Sequence, residues 1–349
     1  MSATLDPGRD GPVVAERPKP GAPRAYEFPS VHGDRLSNGL SVLVVDLPGR
    51  PLVSASLILN GGVSEEPDDK AGATVLAARA LTEGTEAHDA IALVEATERL
   101  GASLHADAGW DALSVSVDVP AERVAPALEL AAEVLLRPTF PEHDVERLRD
   151  ERLNDLLQAR ADPRRRVDEA FIGTIYAASS PYHRPSGGIR ETVEGLTAAD
   201  LRRAYTGLLD PARATLVVGG DLGDQDVIEL AERLFGSWTG SASGSAASTV
   251  VDTGSPRGRI VRVVHRPGSV QTEIRIGHRG LPRRVDDFHA VSVMGAILGG
   301  LFNSRLNMRL REEKGYTYGA SAGFDMRRGA GPFAARAAVN TEVTVPAIV

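Results

Sequence analysis

No cysteine occurs among the 349 residues. Disulfides, thiolate nucleophiles, iron–sulfur clusters and cysteine zinc sites are therefore excluded, and the composition fits a reducing compartment. Lysine is nearly missing as well. Lys19, Lys70 and Lys314 are the only ones in a chain with 39 basic residues, an arginine bias expected of a GC-rich bacterial genome. No stretch approaches the roughly 20 apolar residues of a membrane helix. The opening Met1 to Asp10 carries no apolar core of the length a signal peptide needs. These two absences predict a cytoplasmic chain with no membrane partner. Net positive charge is lacking too. At −8 the chain has no basic field for phosphates, which argues against a nucleic-acid partner, and the run Arg164-Arg-Arg166 reads as a solvated helix face. Histidine is scattered. His32, His88, His105, His143, His183, His265, His278 and His289 include no i, i+4 pair and no inverted metal motif, so each reads as a surface or core residue.

What is present is length and apolar content for two cores, with 42% hydrophobic residues over 349 positions. Residues 1–25, rich in Pro, Gly, Ala and charge, cannot bury enough apolar surface to offset ordering and are expected to be a disordered tail. Strand patterns follow at Ser41 to Val45 and Leu52 to Leu59, separated by Pro48-Gly49. Helical spacing is read from Ala71 to Leu81 and from Ala87 to Leu100, the second with Ile91, Val94 and Leu100 as its apolar stripe and Gly101 as its stop. In Leu104 to Val119 the later half alternates as a half-buried strand does. Helices are expected from about Ala121 to Leu136, Glu142 to Ala161, Thr197 to Leu208 and Asp224 to Phe235, with a strand from Ala214 to Asp221.

Residues 239–256, dense in Ser, Gly and Ala, have flexible-linker chemistry. They separate a first domain at 26–238 from a second at 257–349. The second repeats the order of the first: strand-like runs at Gly258 to Val264 and Ser269 to Ile276, helices through Asp286 to Glu313, strands at Tyr316 to Phe324 and Phe333 to Val339. It stops where the counterpart of the Ala121 helix should begin. The expectation is a truncated second domain with an uncovered helical face.

Five segments carry a resemblance. Leu36-Ser-Asn-Gly-Leu40, Gly61-Gly-Val-Ser-Glu-Glu66, Lys70 to Thr85, Leu298-Gly-Gly-Leu-Phe-Asn-Ser-Arg-Leu306 and Leu310-Arg-Glu-Glu-Lys-Gly-Tyr-Thr-Tyr-Gly319, in this order and spacing, resemble the insulinase/pitrilysin family of inverted-zincin peptidases, mitochondrial-processing-peptidase branch, over residues 35–345. The resemblance implies an α+β fold of two homologous domains. Each has an antiparallel-rich mixed sheet packed by helices, and a second subunit pairs with the chain to enclose a chamber for extended peptides.

Carried over residue by residue, the family's metal helix would need His, Glu and His at positions 75, 78 and 79. This chain has Val75, Ala78 and Arg79 there. Zinc takes imidazole, carboxylate or thiolate donors, commonly three with one position left open for water, and two alkyl groups and a permanent cation supply none. The third ligand falls near Asn154 or Asp155, with Glu151 a turn before. One carboxylate, Asp155, is all that remains, and Arg79 is expected to pair with it. The chain is therefore expected to hold no metal. In the opposite half, Arg311 and Tyr318, seven residues apart, match the family's arginine and tyrosine that position the peptide and stabilise the oxyanion. A guanidinium fork and a phenol can both be aimed at developing charge. The residue-level alternative is a helix C-terminal cation beside Glu312 and a half-buried strand aromatic. Tyr316 shares a sheet face with Tyr318 by period two, and the spacing selects Tyr318. Leu298 to Leu306 lacks the lysine and spacing of a phosphate loop and reads as a helix break allowing close packing. Val218-Gly-Gly-Asp221 has no dinucleotide fingerprint.

Three functions follow. The first is a zinc-free subunit of a heterodimeric zinc metallopeptidase, contributing Arg311 and Tyr318 in trans to a homologous partner that carries the zinc. The second is a non-proteolytic structural or peptide-binding subunit. An adjacent gene encoding an intact H-x-x-E-H homologue would favour the first. The third, an independent peptidase, is disfavoured by the missing ligands.

Overall fold

Period-two alternation builds the first sheet. In a computed structural model that describes Lys19 and residues 21–240 and 258–349, strands β1 (His32–Arg35), β2 (Ser41–Asp46), β3 (Leu52–Asn60), β4 (Ser103–Ala108), β5 (Ala112–Pro120) and β6 (Ala214–Gly220) form one sheet in the order β1-β2-β6-β3-β5-β4. β2 and β6 run parallel and the other neighbours antiparallel. Val53, Ala55, Leu57 and Leu59 of β3 and Leu113, Val115, Val117 and Val119 of β5 point to one face and are buried. On the other face Ser56 and Ser116 meet at 2.8 Å, and Ser54 donates to Asp118. One apolar face and one hydroxyl-rich face is the half-covered antiparallel arrangement.

The helices of this half are α1 (Ala73–Ala80), α2 (Ala90–Arg99), α3 (Val124–Leu136), α4 (Glu142–Ala161), α5 (Pro163–Ile175), α6 (Arg190–Val193), α7 (Ala198–Thr206) and α8 (Val227–Phe235), of which α1, α2, α3 and α8 pack on this sheet. α1 lies innermost, against α4, α7 and β4. Two helices differ from the sequence reading. In α2 it is Leu93 and Thr97 that are buried, while Ile91 and Val94 face outward. α5 was not expected at all, because Asp162-Pro163 reads as the stop of α4. It is also a start: the Asp162 carboxylate accepts from Arg164 N at 2.8 Å, with Pro163 in the first turn, the capping residue and pre-set φ of a helix N-terminus.

The second half repeats the plan. β7 (Gln271–Arg279) is followed by α9 (Phe288–Gly295), which runs on into a π-helical turn at Ala296–Gly300, then α10 (Arg305–Asn307) with a second π-helical stretch at Met308–Glu313, β8 (Ala320–Phe324), β9 (Pro332–Asn340) and α11 (Thr344–Ile348). The series β3-α1-α2-β4-β5-α3 is thus answered by β7-α9-α10-β8-β9-α11, and the sheet order β7-β9-β8 mirrors β3-β5-β4. Among the described residues no strand corresponds to β1, β2 or β6. The run 258–264, expected as a strand, is exposed and has no ladder partner among the described residues. Its partner in the first half would be the β6 position. α9 and the turn after it leave Val293, Met294, Ile297, Leu301 and Phe302 exposed, where α1 is covered by α4 and α7. The proposed linker falls almost wholly on 241–257, and the proposed tail largely on 1–18 and 20, outside the described residues.

The glycine-bearing break at Leu298 to Leu306 has the packing role read from sequence. A Cβ on Gly299 would lie 2.1 Å from Ala322 N and 2.8 Å from Ala322 Cα, so this turn presses directly on β8. Backbone cannot yield as a side chain does. Gly299→Ala is expected to destabilise the second half by about 2 kcal/mol, in the range of overpacked cores, seen as a lower denaturant midpoint for that half.

Candidate functional site

α1 is set by its N-terminus. Gly72 takes φ +99°, a left-handed conformation that glycine adopts without strain. The Glu66 carboxylate caps the first turn by accepting from Gly72 N (3.0 Å) and Thr74 N (2.6 Å). Burial raises the Glu66 carboxyl above its ordinary range, opposed by those two backbone donors and by Arg184 at 3.5 Å.

Along this helix the three positions that the resemblance aligns with a metal motif differ in environment. Val75 is half-buried, Ala78 is 0% exposed and belongs to the main core, and Arg79 reaches solvent. Arg79 Nη2 bonds Glu151 Oε2 at 2.8 Å. Its partner is thus Glu151, not the expected Asp155, because α4 turns Asp155 away toward α5. There Arg165 grips Asp155 with two contacts of 2.6 and 2.9 Å, and Arg152 adds a third. Glu151 is bonded a second time, by Arg147 at 2.7 Å, and Arg147 also reaches Glu83 at 2.6 Å. Hydrogen bonds from Arg147 and then Arg79 hold the Glu151 carboxyl below its usual range. Those from Arg165, with Arg152, do the same for Asp155.

These are partly exposed pairs, each worth less than about 1 kcal/mol of stability. Their consequence is chemical. Glu83, Glu151 and Asp155 are each already paired with a guanidinium, and a divalent cation would have to displace fixed positive charge to reach them. No group of three or more His, Asp or Glu among the described residues is arranged to hold a metal ion.

Arg311 and Tyr318 lie at the opposite end of the chain's repeat. Arg311 sits in the π-helical stretch Met308–Glu313, which Gly315 ends at φ +64°. The helix therefore breaks where the sequence indicates. Tyr318 is 93% exposed and precedes β8, which starts at Ala320 rather than at Tyr316. The Arg311 guanidinium stacks on Phe302 with its carbon 4.3 Å from the ring centroid, and Nε is 3.5 Å from Glu312. Phe302 was not foreseen as part of this group. Its position within the glycine-bearing turn, seven residues beyond Gly295, gives no periodic signal that it would meet Arg311.

Comparison with known proteins fits this geometry. Residues 41–183 match the family described as Insulinase (Peptidase family M16), and residues 195–349 match the Peptidase M16 inactive domain. An uncharacterized zinc protease of Mycobacterium leprae is 25% identical over 303 residues, covering 87% of this chain and 68% of that protein. A protein named non-peptidase homolog YmxG, from Helicobacter pylori, is 24% identical over 272 residues, covering 77% of this chain and 61% of that protein. Among solved structures, a peptidase M16 inactive domain from Pseudomonas fluorescens superposes with a TM-score of 0.78 at 25% identity, over 91% of this chain and 76% of that one. A protease from Helicobacter pylori reaches 0.85 at 21% identity, over 92% and 78%, a likeness of fold. With both halves matched in order and the architecture shared, the chain belongs to the M16, or insulinase, peptidase family.

Proposed function

We propose that this chain is a zinc-free subunit of a heterodimeric zinc metallopeptidase of the bacterial cytoplasm. A homologous partner carries the metal, and this chain contributes Arg311 and Tyr318 to an extended peptide bound between them. The observation that carries the reading is the α1 face itself: alkyl groups at Val75 and Ala78, and an Arg79 committed to Glu151. When bound in the partner, zinc supplies an activated water and polarises the peptide carbonyl. This chain's part is to present donors. The Tyr318 hydroxyl projects into solvent and can reach an oxyanion formed on a substrate outside the chain, while Arg311 can fix a carbonyl or carboxylate beside it. The open hydroxyl-rich face of the first sheet supplies a polar wall for such a substrate.

A non-proteolytic structural or peptide-binding subunit is the second reading. It is favoured by the stacking of Arg311 on Phe302, which engages the guanidinium with a ring of its own half.

Purified alone, the chain is expected to retain well below one equivalent of zinc after dialysis, measured by elemental analysis. One tightly held ion per chain would overturn both readings. Co-expression with the homologue from the neighbouring gene, followed by peptide cleavage, separates the first from the second: cleavage by the pair and by neither alone supports the peptidase subunit.

A further inference from the structure

The first sheet ends on an open edge. β4 is the last strand of the order β1-β2-β6-β3-β5-β4, paired on one side with β5, and no strand lies beyond it among the described residues. Its outer row of backbone N–H and C=O groups is a template for another strand. Natural edges are commonly blunted by proline, lysine, a bulge or short length. β4 has no proline and no lysine, and it stays in register with β5 from Ser103 opposite Asp118 to Ala108 opposite Leu113 without a bulge. At six residues it is also longer than β1, the four-residue strand at the other edge of this sheet.

The side chains of β4 select the partner. Ser103, His105 and Asp107 are exposed on the hydroxyl-rich face, with His105 opposite Ser116 and Asp107 opposite Ser114. Among the described residues, neither His105 nor Asp107 has a hydrogen-bond or ion-pair partner. Turned end for end, His105-Ala106-Asp107 reads Asp-Ala-His. A second copy running antiparallel about a two-fold axis at Ala106 therefore sets His105 opposite the partner's Asp107, and Asp107 opposite the partner's His105. Directly opposite residues have Cβ atoms about 4.5 to 5.5 Å apart, within reach of an imidazole N–H donating to a carboxylate. Registers shifted by two residues would set His105 against its own twin, or Asp107 against its own, so the charges specify this one. A surface complementary to itself is what a two-fold contact requires. On the other side of the sheet, α2 packs on β4 and leaves Ile91 and Val94 exposed at 73% and 55%, while Leu104 of β4 is only half-buried. Apolar surface thus accompanies the open backbone.

We propose that β4 is a dimerisation edge. Two copies of this chain join β4 to β4 antiparallel about Ala106, held in register by reciprocal His105–Asp107 pairs, so that their first sheets run on as one. The occupant is a second copy because the charge pattern is complementary to itself. The hydroxyl-rich face stays open in this pairing, which holds whether or not the chain serves a peptidase. One short strand and a few apolar side chains make a small interface, so a transient complex is expected, with a dissociation constant on the order of 10⁻⁵ M.

Sedimentation equilibrium of the whole chain over about 10⁻⁶ to 10⁻³ M is expected to show monomer and dimer in exchange. Amide exchange in β4 should slow as concentration rises while that in β1 does not, a test of the edge that needs no substitution. His105→Asp, which sets carboxylate against carboxylate on both sides of the axis, should weaken dimerisation by about tenfold or more. Adding Asp107→His to it restores opposite partners in the same register and should return most of the lost affinity. Both positions are exposed, and an unchanged urea midpoint checks that each variant is folded. A chain monomeric throughout, a dimer indifferent to His105→Asp, or a double variant no tighter than the single would each overturn the assignment. So would β4 protection that appears only when an alternating Val-Thr peptide is added, which would give the edge to an extended peptide instead.

Discussion

Tyr318→Phe is expected to lower turnover by the mixed enzyme roughly 10²- to 10³-fold, the cost of removing one oxyanion donor, without dissociating the pair. The substitution is clean because Tyr318 is 93% exposed and makes no core contact, so the phenyl ring stays and chain stability should move by less than about 0.5 kcal/mol. The distinguishing readout is the split between kcat and KM. A donor that acts only on the oxyanion lowers kcat and kcat/KM together, whereas one that merely grips substrate raises KM. Tyr316→Phe is the control, since Tyr316 lies two residues earlier in the same connection before β8. Equal losses from both would mean that the effect is not specific to the Tyr318 hydroxyl. Undiminished turnover in Tyr318→Phe would leave the structural-subunit reading.

Much of the first half was legible because its patterns are local. β3 and β5 alternate strictly over their lengths, and α4 runs between two prolines, Pro141 and Pro163, that bound it from Glu142 to Ala161 as read. What was lost depends on partners. Ile91 and Val94 mimic a buried stripe, yet α2 packs against β4 with Leu93 and Thr97 facing inward. Leu104 lies in a strand whose edge position keeps it only half-buried, so its alternation is faint. The run 258–264 has the right residues for a strand, but a ladder needs a neighbour, and none stands beside it among the described residues. The site divides in the same way. The absence of metal ligands on α1 is written in three letters of sequence. That Arg79 meets Glu151 while Asp155 goes to Arg165 is decided by how α4 and α5 cross, which no spacing along one helix reports.

Packing around position 78 opposes a charged side chain there, and Ala78→Glu measures by how much. At 0% exposure, position 78 has no free volume toward solvent, so a glutamate must displace core neighbours and strip its own carboxylate of water. Overpacking alone costs about 1 to 3 kcal/mol, and an unpaired buried carboxylate adds more or gives up its charge by a raised pKa. A loss of about 3 to 5 kcal/mol in unfolding free energy from urea titration at pH 7 is expected, at the upper end for a single substitution. The pH dependence fixes the cause. A carboxyl whose folded pKa lies above its unfolded value binds its proton more tightly when folded. The deficit should therefore be smallest below about pH 4, the unfolded carboxyl range, and grow as pH rises toward and through the folded value. A deficit under 1 kcal/mol and flat with pH would show that the side chain escapes to solvent. Val75→His and Arg79→His, at half-buried and exposed positions, should each be tolerated far better. A glutamate at position 78, rather than histidines at 75 and 79, is then the residue this core is expected to refuse, while the Asp155 carboxylate is already held by Arg165 and Arg152.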